Sequence, residues 1–383
     1  MRFRRKKRFR PWVVFLTIFG MAGVIAALYF TASLPILLRG SHLPFLRSES
    51  VSPTPDVAGI ASRLAEADQL FQQGRFELAS QEYEAITLID PQNASAFARL
   101  AKALTIQRLY PEAIAAGEKA IQIDPTSAEA HANLGMAYDW AGYYDKAVAA
   151  ELKAIEIDPN YAPAYAFLAE AYADQVRWDK ALEAAQQAVQ LDDSSFEAHR
   201  NLGYVLEMQG KYNGAMAEYE KAVELQPHFG YLYIDLGALY RYLRRDEEAV
   251  AQFKKAIELQ PKEPRGYYGL GLVYYNQENY ESAMSQFQKA LEVNSAYEPA
   301  HHYLGWCYYV QKEYSEAAAE FERAIELKPD NPLSRSGLGW CYIFLSRYQE
   351  ARVQFERAVE LDPTFEIAKE GLKKLEGKPG SGL

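Results

Sequence analysis

The chain has 383 residues, of which 49% are hydrophobic, and its formal net charge is −10. Nine of the 41 basic residues but only two of the 51 acidic ones lie in residues 1–58, so the remainder is strongly acidic. An acidic body lacks the cationic surface that non-specific nucleic-acid binding needs, so we expect no nucleic-acid partner. Two cysteines are too few for a disulfide framework, and their spacing is not that of a CxxC metal or redox pair.

The N-terminal segment is predicted to anchor the chain in a membrane. Residues 1–10 contain seven Lys or Arg, and residues 11–38 carry no charge. A helix from Trp12 to Leu34 would be about 34 Å long, against a hydrocarbon core of about 30 Å. A cleaved signal peptide is the alternative, but its apolar region is normally only about 7–15 residues long. We therefore predict an uncleaved signal-anchor helix within residues 11–38.

The same charges predict the orientation of the anchor. Basic residues favour the cytoplasmic side, so residues 1–10 are expected in the cytoplasm and everything after residue 38 across the membrane. Gly23 and Ala27 form a small-xxx-small pair, a pattern that lets two anchors pack, so self-association is a further expectation. Residues 39–59 contain three prolines and several serines and are predicted to be a flexible linker.

A 34-residue repeat organises the chain from residue 60 to residue 365. Nine positions from 91 to 363 lie 34 apart, and seven of them are Pro. Ala recurs twelve residues before each of the nine, from Ala79 to Ala351, and Leu precedes a small residue earlier in the unit, as in Leu134-Gly135. The nine predicted units are residues 60–93, 94–127, 128–161, 162–195, 196–229, 230–263, 264–297, 298–331 and 332–365.

Each unit has the composition of two short antiparallel helices. Apolar residues recur at helical spacing in both halves, and an aromatic opens the second half of eight units, from Phe76 to Tyr348. Small residues let the helix axes approach, and the Pro that ends the unit cannot continue a helix. One hairpin cannot bury its own apolar face, so the units must stack on one another.

The pattern in HANLGMAYDWAGYYDKAVAAELKAIEIDP, residues 131–159, closely resembles the tetratricopeptide repeat. The resemblance implies an all-α, right-handed superhelical solenoid of about nine hairpins, here preceded by one transmembrane helix. It also implies a concave groove, lined by the first helix of each hairpin, that binds a protein or peptide partner. Residues 366–376 are predicted to be a capping helix, and residues 377–383 a disordered tail.

No catalytic chemistry is expected. The chain has no Gly-rich phosphate loop, nucleophile elbow or HExxH, and the repeats leave no room for a catalytic domain. His131, His199 and His301 share one repeat position that is aromatic in other units, so packing is favoured over metal binding. Cys307 and Cys341 are also equivalent, and about 10 Å between neighbouring helices is too far for a disulfide. We predict no enzyme activity, no cofactor and no metal.

The groove is the candidate binding surface. In the family that the repeats resemble, positions 2, 5, 9, 12 and 13 of each unit line it. The early units have small or charged residues there, such as Asp68, Lys102 and Glu129, and the later units have aromatics and Arg. The predicted partner-binding residues are Arg200, Tyr204, Tyr231, Arg241, Tyr242, Arg265, Tyr268, Tyr275, Trp306, Tyr309, Trp340 and Phe344. The alternative is that the tyrosines only pack between helices.

These features together predict a membrane-anchored protein–protein interaction scaffold. Its repeats would face the extracytoplasmic side and assist assembly of an envelope or membrane complex. A cytoplasm-facing adaptor or quality-control scaffold is one alternative, and a non-catalytic subunit of a glycosyl-transferase-like or secretion complex is another. The two-carboxylate clamp of the family is matched only in part by Arg99, Lys102 and Asn133, so no clamp residues are assigned.

Overall fold

The computed structural model describes residues 57–376 and residue 378, and all the regular structure among these residues is helical. The predicted basic terminus, the anchor and nearly all of the linker lie outside the described residues. Within the described part, none of the helices combines the length and the apolar character that crossing a membrane requires. The array of stacked helical hairpins confirms the predicted all-α solenoid.

Nineteen helices, α1 to α19, follow in chain order through the described residues, and α1 to α18 pair into nine hairpins. The first helices of the hairpins are α1 Val57–Gln72, α3 Ala94–Ile106, α5 Ala128–Trp140, α7 Ala162–Asp174, α9 Phe196–Met208, α11 Gly230–Tyr242, α13 Pro264–Asn276, α15 Glu298–Val310 and α17 Pro332–Phe344. The second helices are α2 Phe76–Ile89, α4 Tyr110–Ile123, α6 Tyr144–Ile157, α8 Trp178–Leu191, α10 Tyr212–Leu225, α12 Asp246–Leu259, α14 Tyr280–Val293, α16 Tyr314–Leu327 and α18 Tyr348–Leu361. Helix α19, Glu366–Leu375, covers the last hairpin.

Every hairpin turns at a residue with left-handed backbone. These residues recur every 34 positions and are Gly74, Arg108, Gly142, Val176, Gly210, Arg244, Glu278, Lys312 and Ser346. The residue after each one donates its N–H to a carbonyl five residues back, as from Tyr143 N to Tyr138 O at 2.8 Å. This Schellman cap satisfies carbonyls at the end of the first helix and reverses the chain. Only three of the nine positions are Gly, so six hairpins carry a strained residue at the turn.

Val176 is the most strained of these turn residues, because it is β-branched and has a φ of 62°. We expect Val176→Gly to raise the free energy of unfolding by about 1 kcal/mol. Gly142 is the matched control, since its φ is 84° and an added Cβ would meet no atom within 4 Å. Gly142→Val should therefore lower the stability by a similar amount through backbone strain alone. Urea denaturation midpoints measure both, and an unchanged midpoint in both variants would contradict the strain.

A second recurring contact joins several of the hairpins to the one before. The side chain at the fourth position of several units bonds the backbone carbonyl six residues earlier, as from Tyr233 Oη to Pro227 O at 3.1 Å. His131, His199 and His301 make the same contact through Nε2, at 3.1, 2.9 and 3.1 Å respectively. These histidines are therefore part of the structural repeat, as the sequence pattern predicted.

The core of each late hairpin is a Phe ring inserted between first helices. Phe321 is fully buried between Gly305 of α15 and Gly337 of α17. A Cβ at Gly337 would come within 2.5 Å of the ring, so the close approach requires glycine there. Phe253, Phe287 and Phe355 occupy the equivalent position of their hairpins, and all are at most 1% exposed.

The two halves of the array differ in how closely their first helices approach. Helices α3 and α5 are rich in alanine and pack closely, with Ala98, Ala101 and Ala132 fully buried. Helices α13, α15 and α17 carry more aromatic side chains, such as Tyr268, Trp306 and Trp340, and scarcely touch along their axes. Small side chains allow the close approach, and large ones prevent it. The concave face is therefore closed in the early hairpins and open in hairpins 7–9.

Candidate binding groove

The first helices of hairpins 7–9 form a continuous aromatic surface, here called the aromatic groove. It comprises Tyr268, Tyr275, Tyr303, Trp306, Tyr309, Trp340 and Phe344, six of which the sequence predicted. All seven are partly or largely exposed, and Phe344 keeps 51% of its surface open. Aromatic rings that are supported on one side and open on the other are typical anchors for a partner.

Contacts between rings hold this surface together. Tyr303 lies 5.8 Å from Tyr268 and 5.5 Å from Tyr275, measured between ring centroids, and so links α13 to α15. Phe344 stacks on Tyr314 at 4.4 Å with nearly parallel planes and lies 5.9 Å from Tyr309. Sequence reasoning missed Tyr303, because its position in the repeat is Gly in the flanking units, at Gly269 and Gly337.

His302 fixes the orientation of Trp306. Burial lowers the pKa of His302 to about 4, so the ring is neutral at physiological pH. Its Nε2 accepts a hydrogen bond from the indole Nε1–H of Trp306 at 3.1 Å. The proton of the neutral ring therefore sits on Nδ1, which donates to Ser334 Oγ at 2.8 Å. The indole is held in place before any partner arrives, which lowers the entropy cost of binding.

The aromatic groove is uncharged but can form hydrogen bonds. None of its residues is acidic or basic. The hydroxyls of Tyr268, Tyr275, Tyr303 and Tyr309 have no hydrogen-bond partner among the described residues, and none of them is a fully buried atom. Burial raises the pKa of Tyr275 and of Tyr309 to about 12, so both hydroxyls keep their protons and can donate.

The predicted residues of hairpins 5 and 6 lie in a different environment. Arg200 is engaged inside the protein, where it binds Glu170 at 2.9 Å and Asp235 at 2.8 Å. Its guanidinium also lies over the Trp140 ring at 5.3 Å and the Tyr231 ring at 5.8 Å. Since Tyr231 is only 4% exposed, neither it nor Arg200 presents a free surface in this conformation.

Four other predicted groove residues lie near this interior: Tyr204 on α9, Arg241 and Tyr242 on α11, and Arg265 on α13 of hairpin 7. Tyr204 donates its hydroxyl to Asp174, and Tyr242 is 58% exposed and packs on Tyr212 with ring centroids 4.9 Å apart. Arg265 pairs with Glu263 at 2.9 Å, whereas the Nε of Arg241 is buried without an acceptor. The structure thus places Arg200 and Tyr231 in the interior and leaves Tyr242 exposed beside Tyr212.

The concave face of the early hairpins is filled by the protein itself. Phe229, at the end of hairpin 5, is fully buried and packs edge-to-face on Phe71, Phe76 and Phe196 with centroids 5.5, 4.9 and 5.1 Å away. Phe71 and Phe76 belong to hairpin 1, so the array curls until its first hairpin contacts the junction of hairpins 5 and 6. We call this contact the Phe229 closure.

Ion pairs line the interior beside the closure. Lys102 Nζ binds Glu197 Oε1 at 2.7 Å across 95 residues of sequence, and both side chains are at least four-fifths buried. Arg99 Nη1 binds Asp68 at 2.5 Å, and Arg99 Nε lies 3.4 Å from Glu129. These charges, which line the groove in the early units, are therefore already paired within the chain. They leave little for a partner to recognise.

A buried glutamate in hairpin 3 departs from the residue pattern of the repeat. Glu151 holds the position that is Phe in hairpins 6–9, and it is fully buried with neither carboxyl oxygen hydrogen-bonded. Burial first, and then Asp139 and Glu170, raise the pKa of Glu151 well above its usual value. Burial, Glu170 and Asp174 likewise raise the pKa of Asp139 to about 9. Asp139 is therefore held as a neutral acid at pH 7, and burial favours the neutral form of Glu151 as well.

The described residues show neither a metal-binding cluster nor a reactive thiol. No group of three or more His, Cys, Asp or Glu side chains there is arranged to hold a metal ion. Cys307 and Cys341 are free, fully buried thiols, and burial raises the pKa of each to about 12. A thiol with so high a pKa is a poor nucleophile, so both cysteines act as small apolar residues in packing.

Sequence profiles of known families match nearly the whole array. Profiles described as tetratricopeptide repeat match residues 64–128, 128–161, 168–228, 264–297, 299–331 and 332–365, and one described as TPR repeat matches residues 237–278. None of the curated protein sequences matches the chain.

Solved structures share the fold at low sequence identity. The crystal structure of the APC/C hetero-tetramer Cut9–Hcn1 contains a chain that is 17% identical, with a TM-score of 0.65 over 77% of this chain and 58% of that one. The chain thus spans less than two thirds of that relative. The Pseudomonas aeruginosa protein pilF is 21% identical, with a TM-score of 0.50 over 56% of this chain and 97% of that one.

Proposed function

Because the chain belongs to the tetratricopeptide repeat family, we propose that it is a scaffold that binds a protein or peptide partner in its aromatic groove. Repeats of this family generally form interaction surfaces without catalysing reactions. The observation that carries the proposal is the contrast along the array: the early concave face is filled by Phe229 and internal ion pairs, whereas hairpins 7–9 leave exposed, pre-ordered rings.

The proposed scaffold is tethered by its N-terminal segment. The seven basic residues and the uncharged run of residues 11–38 support a single-pass anchor with the repeats outside the cytoplasm. In that location the scaffold would assist assembly of an envelope or membrane complex. A reporter enzyme that is active only outside the cytoplasm, fused after residue 383, tests the orientation. Activity supports this topology, and a cytoplasmic signal alone supports the cytoplasm-facing adaptor.

We expect Trp306→Ala combined with Trp340→Ala to weaken partner binding at least about a hundredfold, because aromatic anchors each contribute about 2 kcal/mol or more. The partner is first identified by placing a photo-crosslinking amino acid at Phe344, in the full chain, and sequencing the adduct. Affinity for the purified partner is then measured for the parent and the double variant.

Trp178→Ala is the matched control, since it removes the same side chain from hairpin 4, away from the aromatic groove. It should leave the affinity for the crosslinked partner unchanged. Circular dichroism establishes that each variant remains folded. Equal affinity of the parent and the folded double variant would reject the aromatic groove as the binding site.

A further inference from the structure

We propose that the aromatic groove selects an extended, proline-rich segment in the polyproline II conformation. The inference rests on the proposed function and adds the chemical class of the partner. Its starting point is the hydrogen-bonding character of the groove, which presents uncharged tyrosine hydroxyls and the indole N–H of Trp340. A charged peptide side chain gains no ion pair with these seven side chains and loses hydration against them.

The available groups of the groove can all donate a hydrogen bond to a carbonyl, and the tyrosine hydroxyls can also accept one. The hydroxyls of Tyr268, Tyr275, Tyr303 and Tyr309 lack partners among the described residues, and so does the Nε1–H of Trp340. An α-helical ligand has already used its carbonyls within the helix. A polyproline II segment has no internal hydrogen bonds, so all its carbonyls can accept from these groups. The groove therefore complements an extended chain better than a helix.

Proline suits this surface for a second reason. Proline has no backbone N–H, so it brings no donor that would need an acceptor. Acceptors in the groove are few: Ser334 Oγ is bonded to His302 and the hydroxyl of Ser336 is buried, which leaves the oxygens of the four tyrosine hydroxyls. An ordinary extended peptide brings one N–H per residue, so most of these donors would find no acceptor in the groove, at a cost in affinity. A proline-rich segment avoids that cost.

The rings supply the apolar part of the recognition. The side chains of Tyr275 and Tyr303 meet edge-to-face at 5.5 Å, as do those of Trp306 and Tyr309 at 5.3 Å, and such pairs leave ring faces open between them. Proline rings pack against aromatic faces of this kind, and the polyproline II helix is ordered before binding, so little entropy is lost. Because His302 holds Trp306 in place, the receptor is pre-ordered too.

The test uses the full chain in a mild detergent and two fluorescent peptides of equal length. One is decaproline, and the other is an uncharged Ala- and Gln-rich peptide that forms a helix. We expect saturable binding of decaproline by anisotropy, at least about tenfold tighter than binding of the helical peptide. The Tyr268→Phe and Tyr309→Phe double variant, which keeps both rings, should bind decaproline about tenfold more weakly.

Tyr308→Phe is the matched control, because Tyr308 lies on the same helix, outside the aromatic groove, and should bind decaproline like the parent. Tighter binding of the helical peptide than of decaproline would overturn the proline-rich class while leaving the proposed function intact. Equal decaproline binding by Trp306→Ala, or by the double Phe variant, would also overturn it. If crosslinks from Phe344 reach a partner and decaproline does not bind, the partner class is wrong and groove binding stands.

Discussion

We expect Glu151→Phe to raise the free energy of unfolding at pH 7 by about 3 kcal/mol. Glu151 is fully buried without a hydrogen bond, so the folded chain must hold it as a neutral acid that is ionised when the chain unfolds. Replacing Glu151 by Phe removes the free-energy cost of keeping a carboxyl group buried and adds apolar contacts. Hairpin 7 sets Phe287 between Gly271 and Tyr303, and Glu151 lies against Gly135 at the equivalent place in hairpin 3.

The same substitution changes how stability depends on pH. A carboxyl whose pKa is raised by folding stabilises the folded chain fully only below its unfolded pKa of about 4.3. That stability is lost as the pH rises, and for Asp139 the loss continues to about pH 9. Glu151, Asp139 and Glu170 face one another from α6, α5 and α7, with Asp174 beside them and Arg200 as the cation. We therefore expect the parent to lose stability between pH 5 and 8 more steeply than Glu151→Phe.

Two further variants separate charge from shape in hairpin 3. Glu151→Gln cannot ionise but still buries a polar group, so its pH profile should match that of Glu151→Phe at a smaller gain in stability. Phe287→Glu places the acid in hairpin 7 and should reproduce the parent's defect there, lowering the stability. Denaturation at pH 5 and pH 8 measures all four chains. A less stable Glu151→Phe at pH 8 would show that the acid has a favourable partner.

The repeat could be predicted almost in full, because its signals are local. Ala79 and its equivalents mark where helices cross, the prolines mark where hairpins end, and a 34-residue period places one copy directly on the next. Even the unusual residue Glu151 is visible in the sequence, since alignment on the period sets it beside Phe253, Phe287, Phe321 and Phe355. What that alignment cannot show is that both carboxyl oxygens lack a partner, which depends on the surrounding side chains.

The candidate site could be predicted only in part, because the curvature of the helical array determines which groove positions remain accessible to a partner. Positions taken from the family place Tyr231 and Tyr268 equally on the groove. The structure buries Tyr231 against Phe229 and leaves Tyr268 accessible. The difference arises from a contact between residues about 150 positions apart, and no periodic signal encodes it. Tyr303 was missed because its repeat position is Gly in the flanking units, and His302 because its role depends on Ser334 of the next hairpin.

The Phe229 closure leads to the second large effect. We expect Phe229→Ala to lower the free energy of unfolding by about 3–5 kcal/mol, because a buried Phe is lost from a cluster with Phe71, Phe76 and Phe196. We also expect the array to change shape in Phe229→Ala. The side chain of Phe229 joins hairpin 1 to hairpins 5 and 6, so without it the array should open at that contact. The cleft of about 550 Å³ between the hairpin 1 turn and Lys262 should widen.

Spin labels at positions 81 and 262, on opposite walls of that cleft, measure the opening as a longer distance. Phe321→Ala is the matched control, because Phe321 is equally buried but touches only consecutive hairpins. We expect Phe321→Ala to lower the free energy of unfolding by a similar amount without changing the distance between the two spin labels. Opening would also expose the ion pair of Lys102 and Glu197, so the closure explains why the early concave face is unavailable to a partner. An unchanged distance in Phe229→Ala would mean that the curvature is set by the alanine-rich first helices alone.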